Sequence, residues 1–349
     1  MDQYIGFDVD SKKTVACVIQ PGKKDIYQTL DTDPVLLRRW LRQQGQGGRH
    51  KLHLTFEVSG MSGWLYDELV DSVDELVVSN PSKMPWIYRT AKKNDRIDAR
   101  KQAVLLLMGE IPSVHMPARA VRQWRDQIQH RRKLVNLRTQ VKNRIRAYLK
   151  GLGYRRLPIK ENWWTQASHA WIRTVFATDF ILRDLLDQLD LLHQQIKQVT
   201  LRLDERLKHH PGGALLQTIP GVGPRTAEAV LAYVDDVTRF GSGKQMSSYF
   251  GLTPKLDESG TCRRLGHISK QGPSVGRWLL VESGWRVIKV SASLRAFYEQ
   301  VLHGQPSRKK IAVVAVANKL VRVMRAMLLT GECFNERLVL EQERLEAVS

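Results

Sequence analysis

Four acidic residues early in the chain, Asp8, Glu57, Asp95 and Asp98, have the type and setting to hold a divalent metal. Asp8 ends the run Tyr4-Ile5-Gly6-Phe7-Asp8, where its apolar neighbours imply burial that a partner must offset. Glu57 lies near the end of another β-favouring run, Leu52 to Val58. Asp95 and Asp98 stand i,i+3 at the start of a helical segment, Asn94-Asp95-Arg96-Ile97-Asp98-Ala99, so both carboxylates project to one side. Taken singly, Asp95 also reads as a helix N-cap and Glu57 as half of a surface salt bridge. Taken together, convergent carboxylates repel unless a cation lies between them. Mg²⁺, or Mn²⁺, suits hard oxygen ligands and leaves positions open for phosphate oxygens.

The elements that must position these acids follow from periodicity. Tyr4–Val9, Thr14–Ile19 and Ile26–Leu30 are short strand signals separated by turns at Ser11-Lys12-Lys13 and Pro21-Gly22-Lys23-Lys24. Asp33 can cap a helix carrying Leu36, Leu37, Trp40 and Leu41; Leu52–Val58 returns as a strand, Trp64–Val70 as a helix and Glu75–Ser79 as a strand. A three-strand meander followed by α/β units is the order of a ribonuclease H-like fold, in which the first and fourth strands are adjacent, and other α/β folds share the pattern.

From Arg119 to Lys160 there are fourteen Lys or Arg against one acid, Asp126, with helical spacing through Val121, Ile128, Val135, Ile145 and Leu149. A solvated face laced by salt bridges needs both signs. This basic arm is expected to contact nucleic acid through Arg131, Arg132, Lys133, Arg138, Lys142 and Arg144. A heptad follows, Leu182, Leu185, Leu189, Leu192, Ile196, Val199 and Leu203, the period of a coiled-coil seam that either packs on the arm or pairs with another subunit. After Pro211-Gly212-Gly213, a natural break, helices are expected at Thr226–Val234, Lys244–Phe250, Gly276–Val290 and Ile311–Leu329. Ile219-Pro220-Gly221-Val222-Gly223 before the first of these looks like a helix-hairpin-helix element; its glycines, Gly221 and Gly223, either admit a phosphate backbone or simply pack the helix.

Composition agrees with a polyanion-binding protein. The chain carries 55 Lys plus Arg against 35 Asp plus Glu, a formal charge of +20, which favours DNA or RNA by counterion release. Cys17, Cys262 and Cys333 are isolated, which excludes a disulfide framework or a zinc knuckle as a reading and fits a reducing cytoplasm. No leader segment and no apolar run of spanning length is apparent, so no membrane is implied. Trp163, Trp164 and Trp171 suit either base stacking or a core.

Gly6-Phe7-Asp8, Glu57-Val58-Ser59-Gly60 and Lys93-Asn94-Asp95-Arg96-Ile97-Asp98-Ala99 resemble, in order and spacing, the acidic motifs of DEDD insertion-sequence transposases, the Piv-related group described as bridge-RNA-guided serine recombinases. Ile219 to Gly223, Arg239-Phe240, Gly251-Leu252-Thr253-Pro254, Glu258-Ser259-Gly260 and Gly266 to Gly272 are similar to that family's second block. The resemblance covers most of the chain. It implies an α/β plus α architecture: a RuvC-like, ribonuclease H-like catalytic domain at 1–110, a basic helical arm at 111–175, a coiled coil at 176–210, a mostly helical serine-bearing domain at 211–335 and a tail at 336–349. It further implies that Ser259 attacks DNA to give a 5′-phosphoserine, that a guide RNA accompanies donor and target DNA, and that the chain forms a dimer to tetramer on the nucleoid. Arg263, Arg264 and Lys270, with Arg277, Arg286 and Lys289, follow Ser259 and suit clamping of the cut strand. Thr261-Cys262 replaces a common Ser-Ser, and His267 is an alternative base. Two rivals stand beside this reading: a RuvC-type junction endonuclease in which the acids activate water, and a non-enzymatic nucleic-acid-binding scaffold.

Overall fold

The computed structural model describes residues 1–80, 83, 94–157, 162–259, 262–337 and 339, without the side chains of 256–259 and 262–265. Lys93, Gly260, Thr261 and most of the 336–349 tail lie outside the described residues, as do the side chains of Ser259, Cys262, Arg263 and Arg264. The chain divides into two compact units, Met1–Arg122 and Gln123–Ser349.

In the first unit, strands β1 (Asp2–Val9), β2 (Lys13–Ile19), β3 (Ile26–Asp31), β4 (Lys51–Glu57) and β5 (Glu75–Ser79) form one sheet in the order β3-β2-β1-β4-β5. The meander β1-β2-β3 is antiparallel, whereas β4 and β5 run parallel to β1. This mixed sheet is consistent with the ribonuclease H-like fold expected from the strand order. Helix α1 (Pro34–Gly45) starts where expected: the Asp33 side chain accepts from the N–H groups of Val35 and Leu36, and Pro34 occupies the first turn, where its missing N–H costs nothing. Leu37, Trp40 and Leu41 of α1 and Leu65 and Leu69 of α2 (Ser62–Leu69) cover one sheet face through Ile5, Phe7 and Phe56. The opposite face, with Val15, Cys17 and Ile19, is covered by Ala99 and Ala103 of α3 (Asp95–Met108).

The second unit is built on two long helices, α4 (Arg119–Gly151), whose first turn belongs to the first unit, and α6 (Phe180–Lys208). Leu134, Val141, Ile145 and Leu149 of α4 pack with Leu182, Leu185, Leu189, Leu192 and Ile196 of α6 and Ile172 of α5 (Gln166–Val175). Of the two arrangements open to the heptad seam, burial within the chain is the one seen. Trp163, Trp164 and Trp171 pack at the edge of this same core. The basic helix ends at Gly151, short of Lys160.

Farther along, Leu203 and Leu207 join a second core formed by α7 (Pro211–Gln217), α8 (Pro224–Val234), α9 (Gly243–Tyr249), α10 (Ser274–Val290), α11 (Ala292–Leu302) and α12 (Lys309–Thr330), while a hairpin of β6 (Pro254–Ser259) and β7 (Cys262–Ile268) follows α9. The expected break at Pro211-Gly212-Gly213 is instead helix α7. Pro211 fits its first turn and the His210 ring caps it, while Gly213 is needed because a Cβ there would lie 2.3 Å from the Leu207 carbonyl oxygen. The β6-β7 hairpin and α11 were not foreseen from periodicity.

Candidate active site

Phe7 of β1 pairs with Phe56 of β4, so the next residues, Asp8 and Glu57, end neighbouring parallel strands on the same sheet face. Gly6 shares that face two residues before Asp8, and α3 crosses directly over it. A Cβ on Gly6 would lie 2.1 Å from the Ala99 carbonyl oxygen and 2.6 Å from the Ala103 nitrogen. That close approach brings the first turn of α3, with Asp95 and Asp98, to the edge where β1 and β4 end. Asn94, not Asp95, is the N-cap: its side chain accepts from the Arg96 N–H at 3.0 Å. Asp95 is thereby released from the capping role that its position also allowed.

Two residues that sequence reasoning passed over hold Glu57. Buried Gln102, one helical turn after Asp98, donates from Nε2 to Glu57 Oε1 at 2.9 Å. Buried Ser62 donates its hydroxyl to the Glu57 carbonyl at 3.2 Å and accepts from the Ser59 N–H at 2.5 Å, which fixes the turn after β4. The signal for Gln102 was its i,i+4 relation to Asp98 between the small residues Ala99 and Ala103.

Cations already attend this edge. Lys13 Nζ lies 2.7 Å from Asp95 Oδ2, and this hydrogen bond, reinforced by the charges of Asp95, Asp10 and Asp8, raises the lysine above its ordinary range. Lys101 lies 3.4 Å from Asp98. Among the described residues no group of three or more His, Cys, Asp or Glu side chains is close enough to share one metal ion. Lys13, Lys101 and Gln102 each engage one of the expected acids, Asp95, Asp98 and Glu57 respectively. In kind, the donor set fits a divalent cation, since it offers carboxylate oxygens from adjacent strand ends and one helical turn.

In the second unit, Ser259 closes β6 and pairs with Cys262, and the register sets Glu258 opposite Arg263 and Asp257 opposite Arg264. The hairpin root is clamped by backbone contacts. Ser269 N donates to Thr253 O at 2.9 Å, and Arg277 Nη1 donates to Phe250 O at 3.1 Å and Gln271 O at 2.9 Å. Arg277, expected to grip DNA, is thus a positioning residue for the hairpin, and burial lowers its pKa. Gly251 and Gly272 have positive φ and leave no room for a Cβ, which would lie 2.3 Å from Gln271 O and 1.9 Å from Tyr249 O respectively. Lys270 adopts φ +54, uncommon for a side-chain-bearing residue, and is exposed with His267 beside the hairpin.

The arm cations divide into two groups. Lys133 and Arg144 are exposed. Arg131 donates to Thr200 Oγ1 at 2.8 Å, Arg132 stacks 3.6 Å from the Trp278 ring centroid, Lys142 lies 4.9 Å from that of Trp164, and Arg138 is half-buried. These contacts give Arg131, Arg132 and Lys142 packing roles within the chain. Gly221 likewise has a packing explanation: a Cβ would meet Val287 N at 2.9 Å, whereas Gly223, the N-cap of α8, faces open space. Nearby, Glu228 of α8 is buried 3.1 Å from Arg225, and burial outweighs the pull of Arg225 and Arg131, lifting its pKa to about 8.

Comparison with known proteins places both units. Residues 5–153 match the DEDD transposase domain of the IS110 type, and residues 213–299 match the transposases of the IS116/IS110/IS902 family. A probable family 20 transposase of Pseudomonas aeruginosa is 29% identical over 72% of this chain and 77% of its own length. The transposase for insertion sequence element IS1111A of Coxiella burnetii is 27% identical, over 79% and 77%. The pilin gene-inverting protein of Moraxella bovis is 28% identical, over 53% and 56%.

Proposed function

We propose that the chain, whose residues 5–153 and 213–299 match the DEDD and IS116/IS110/IS902 transposases, is a DNA transposase of that family that cuts and rejoins DNA through Ser259, with Asp8, Glu57, Asp95 and Asp98 as the acidic half of the site. The observation that carries this reading is the seating of Asp8 and Glu57 on neighbouring strand ends beneath the helix bearing the other two acids, with Gln102 holding Glu57. A divalent ion held there, Mg²⁺ or Mn²⁺, would offset charge on the phosphate under attack.

Ser259 Oγ attacks phosphorus, a bond forms between them, the bond from phosphorus to O3′ breaks, and the departing O3′ takes up a proton as the serine gives one up. The products are a 5′-phosphoserine and a free 3′-hydroxyl. Attack by a second 3′-hydroxyl reverses the step and rejoins DNA, so the bond energy is kept rather than lost to water. Inversion, the activity named for the Moraxella relative, and insertion both follow from two such exchanges. Exchange of two strands requires more than one cleavage centre, which supports a dimer to tetramer. The cationic arm, through exposed Lys133 and Arg144, suits the phosphate backbone of donor and target DNA and of a guide RNA.

Ser259→Ala tests the reading directly. Loss of strand cutting with the fold intact supports it. Cutting that persists and leaves a water-derived terminus favours a junction endonuclease in its place.

A further inference from the structure

A groove of about 860 Å³ runs between the hairpin root, α11 and one face of α12. Its wall is apolar, with Phe297, Val314 and Ile311, the last 60% exposed. Lys270, Lys310, Lys319 and Arg322 also line it, and among the described residues no acid does. Lys319 is buried with its ammonium 4.4 Å from the Phe297 ring centroid, so positive charge is set into the apolar wall rather than confined to the rim. Lys270 is held at the groove in a left-handed conformation that is unfavourable for a side-chain-bearing residue, a strain that persists at functional positions.

We propose that this groove takes an unpaired DNA nucleotide, its base against Phe297, Ile311 and Val314 and its phosphates on Lys270, Lys310 and Arg322. An aromatic and aliphatic wall beside cations is the combination by which single strands are held. A base offers its flat face to such a wall only when it has left the duplex stack, so a fully paired helix does not fit. The volume lies within the roughly 300–1,000 Å³ of small-ligand sites. DNA rather than RNA is favoured because Pro254 and Ile268, at the root of the hairpin that ends in Ser259, line the groove; this assignment rests on the reading of Ser259 as nucleophile. At ~3.3 Å per residue, Ser259 lies roughly 17 Å along β6 from Pro254, which sets the held nucleotide a few positions from the phosphate attacked.

The test is binding of the full-length protein to a short oligothymidylate, to an abasic copy of the same backbone, and to the matching oligouridylate, read by fluorescence anisotropy. The thymidylate is expected to bind at least ~10-fold more tightly than the abasic copy, the stacking of one or two bases. Ala315→Trp, which fills the groove and keeps its cations, is expected to abolish that ratio. Ile311→Glu alters an exposed residue that folding does not depend on, and is expected to weaken thymidylate binding by a similar factor. Equal binding of the abasic copy, a ratio unchanged in both variants, or preference for the uridylate overturns the proposal. A Ser259 adduct formed without base discrimination overturns the groove alone; discrimination without an adduct overturns its placement beside the cut strand and the serine reading with it.

Discussion

Asp8 and Glu57 are held by the hydrogen-bonded ladder between β1 and β4, with α3 seated on Gly6 above them. Ser259 ends a two-stranded hairpin whose attachment depends on Gly251, Gly272 and the two carbonyls that Arg277 grips. The first arrangement is shared over a whole sheet and shields its residues from single changes. The second concentrates positioning in a few backbone contacts, so small substitutions at the root should move the serine without unfolding the rest. The pair of sites thus differs less in chemistry than in how many interactions fix each reacting group.

The largest expected effect is chemical and falls on both regions alike. Asp8→Ala, Glu57→Ala and Ser259→Ala should each lower strand cutting by ~10³-fold or more with unchanged circular dichroism. Loss with Ser259→Ala alone would dissolve the pairing of the two sites.

Stability separates the regions next. Glu228 holds a proton in the folded chain up to about pH 8 but releases it near 4.5 when unfolded, so its contribution is complete below about 4.5 and is lost as pH rises through about 8. Denaturant melts of Glu228→Gln should therefore show a flatter decline across this window and greater stability than the parent at pH 9, by on the order of a few kcal/mol. Lower stability of the variant at pH 9 would mean that the pair with Arg225 outweighs burial. Gly272→Ala, at positive φ with Tyr249 O in the way, should cost ~2–3 kcal/mol, read as faster hydrogen exchange in β6 and β7 with β1 and β4 unaffected.

Gln102→Leu sharpens the comparison from the other side. It removes the amide on Glu57 while keeping the helix packed, and should reduce cutting ~10–100-fold, as loss of an outer-shell partner does, with rescue by Gln102→Asn excluded because the shorter side chain falls short. The smallest effect is expected at the exposed arm: Lys133→Ala or Arg144→Ala should lower the slope of binding against log salt by about one each, without altering cutting at saturating DNA.

The contrast also explains what was legible beforehand. Strands β1 to β5 and helices α1 and α2 announce themselves by alternating or amphipathic patterns around one core, and Asp33 by its capping position. Asp8 and Glu57 stood out as acids in or at the end of apolar strands, and Asp95 and Asp98 by their i,i+3 spacing at a helix start. Ser62 gave no signal and Gln102 only its i,i+4 relation to Asp98, since their roles depend on a turn and a helix meeting Glu57 across the fold. The hairpin bearing Ser259 has no apolar alternation to reveal it; Gly251, Gly272 and Arg277 mark its root by close approach and by hydrogen bonds to carbonyls, features that periodicity does not register. In the basic arm, charge and helical spacing do not distinguish an exposed cation such as Lys133 from Arg132 and Lys142, which lie over tryptophan rings, or Arg131, which is bonded to Thr200.

The most direct test of the central claim is peptide mapping of the DNA-linked protein after incubation with Mg²⁺, nicked donor DNA and any co-purifying RNA. A 5′-phosphate linked at Ser259, absent when the metal is chelated and absent in Asp8→Ala, is the predicted result. Cut DNA with a free 5′-phosphate and no linked peptide would contradict it.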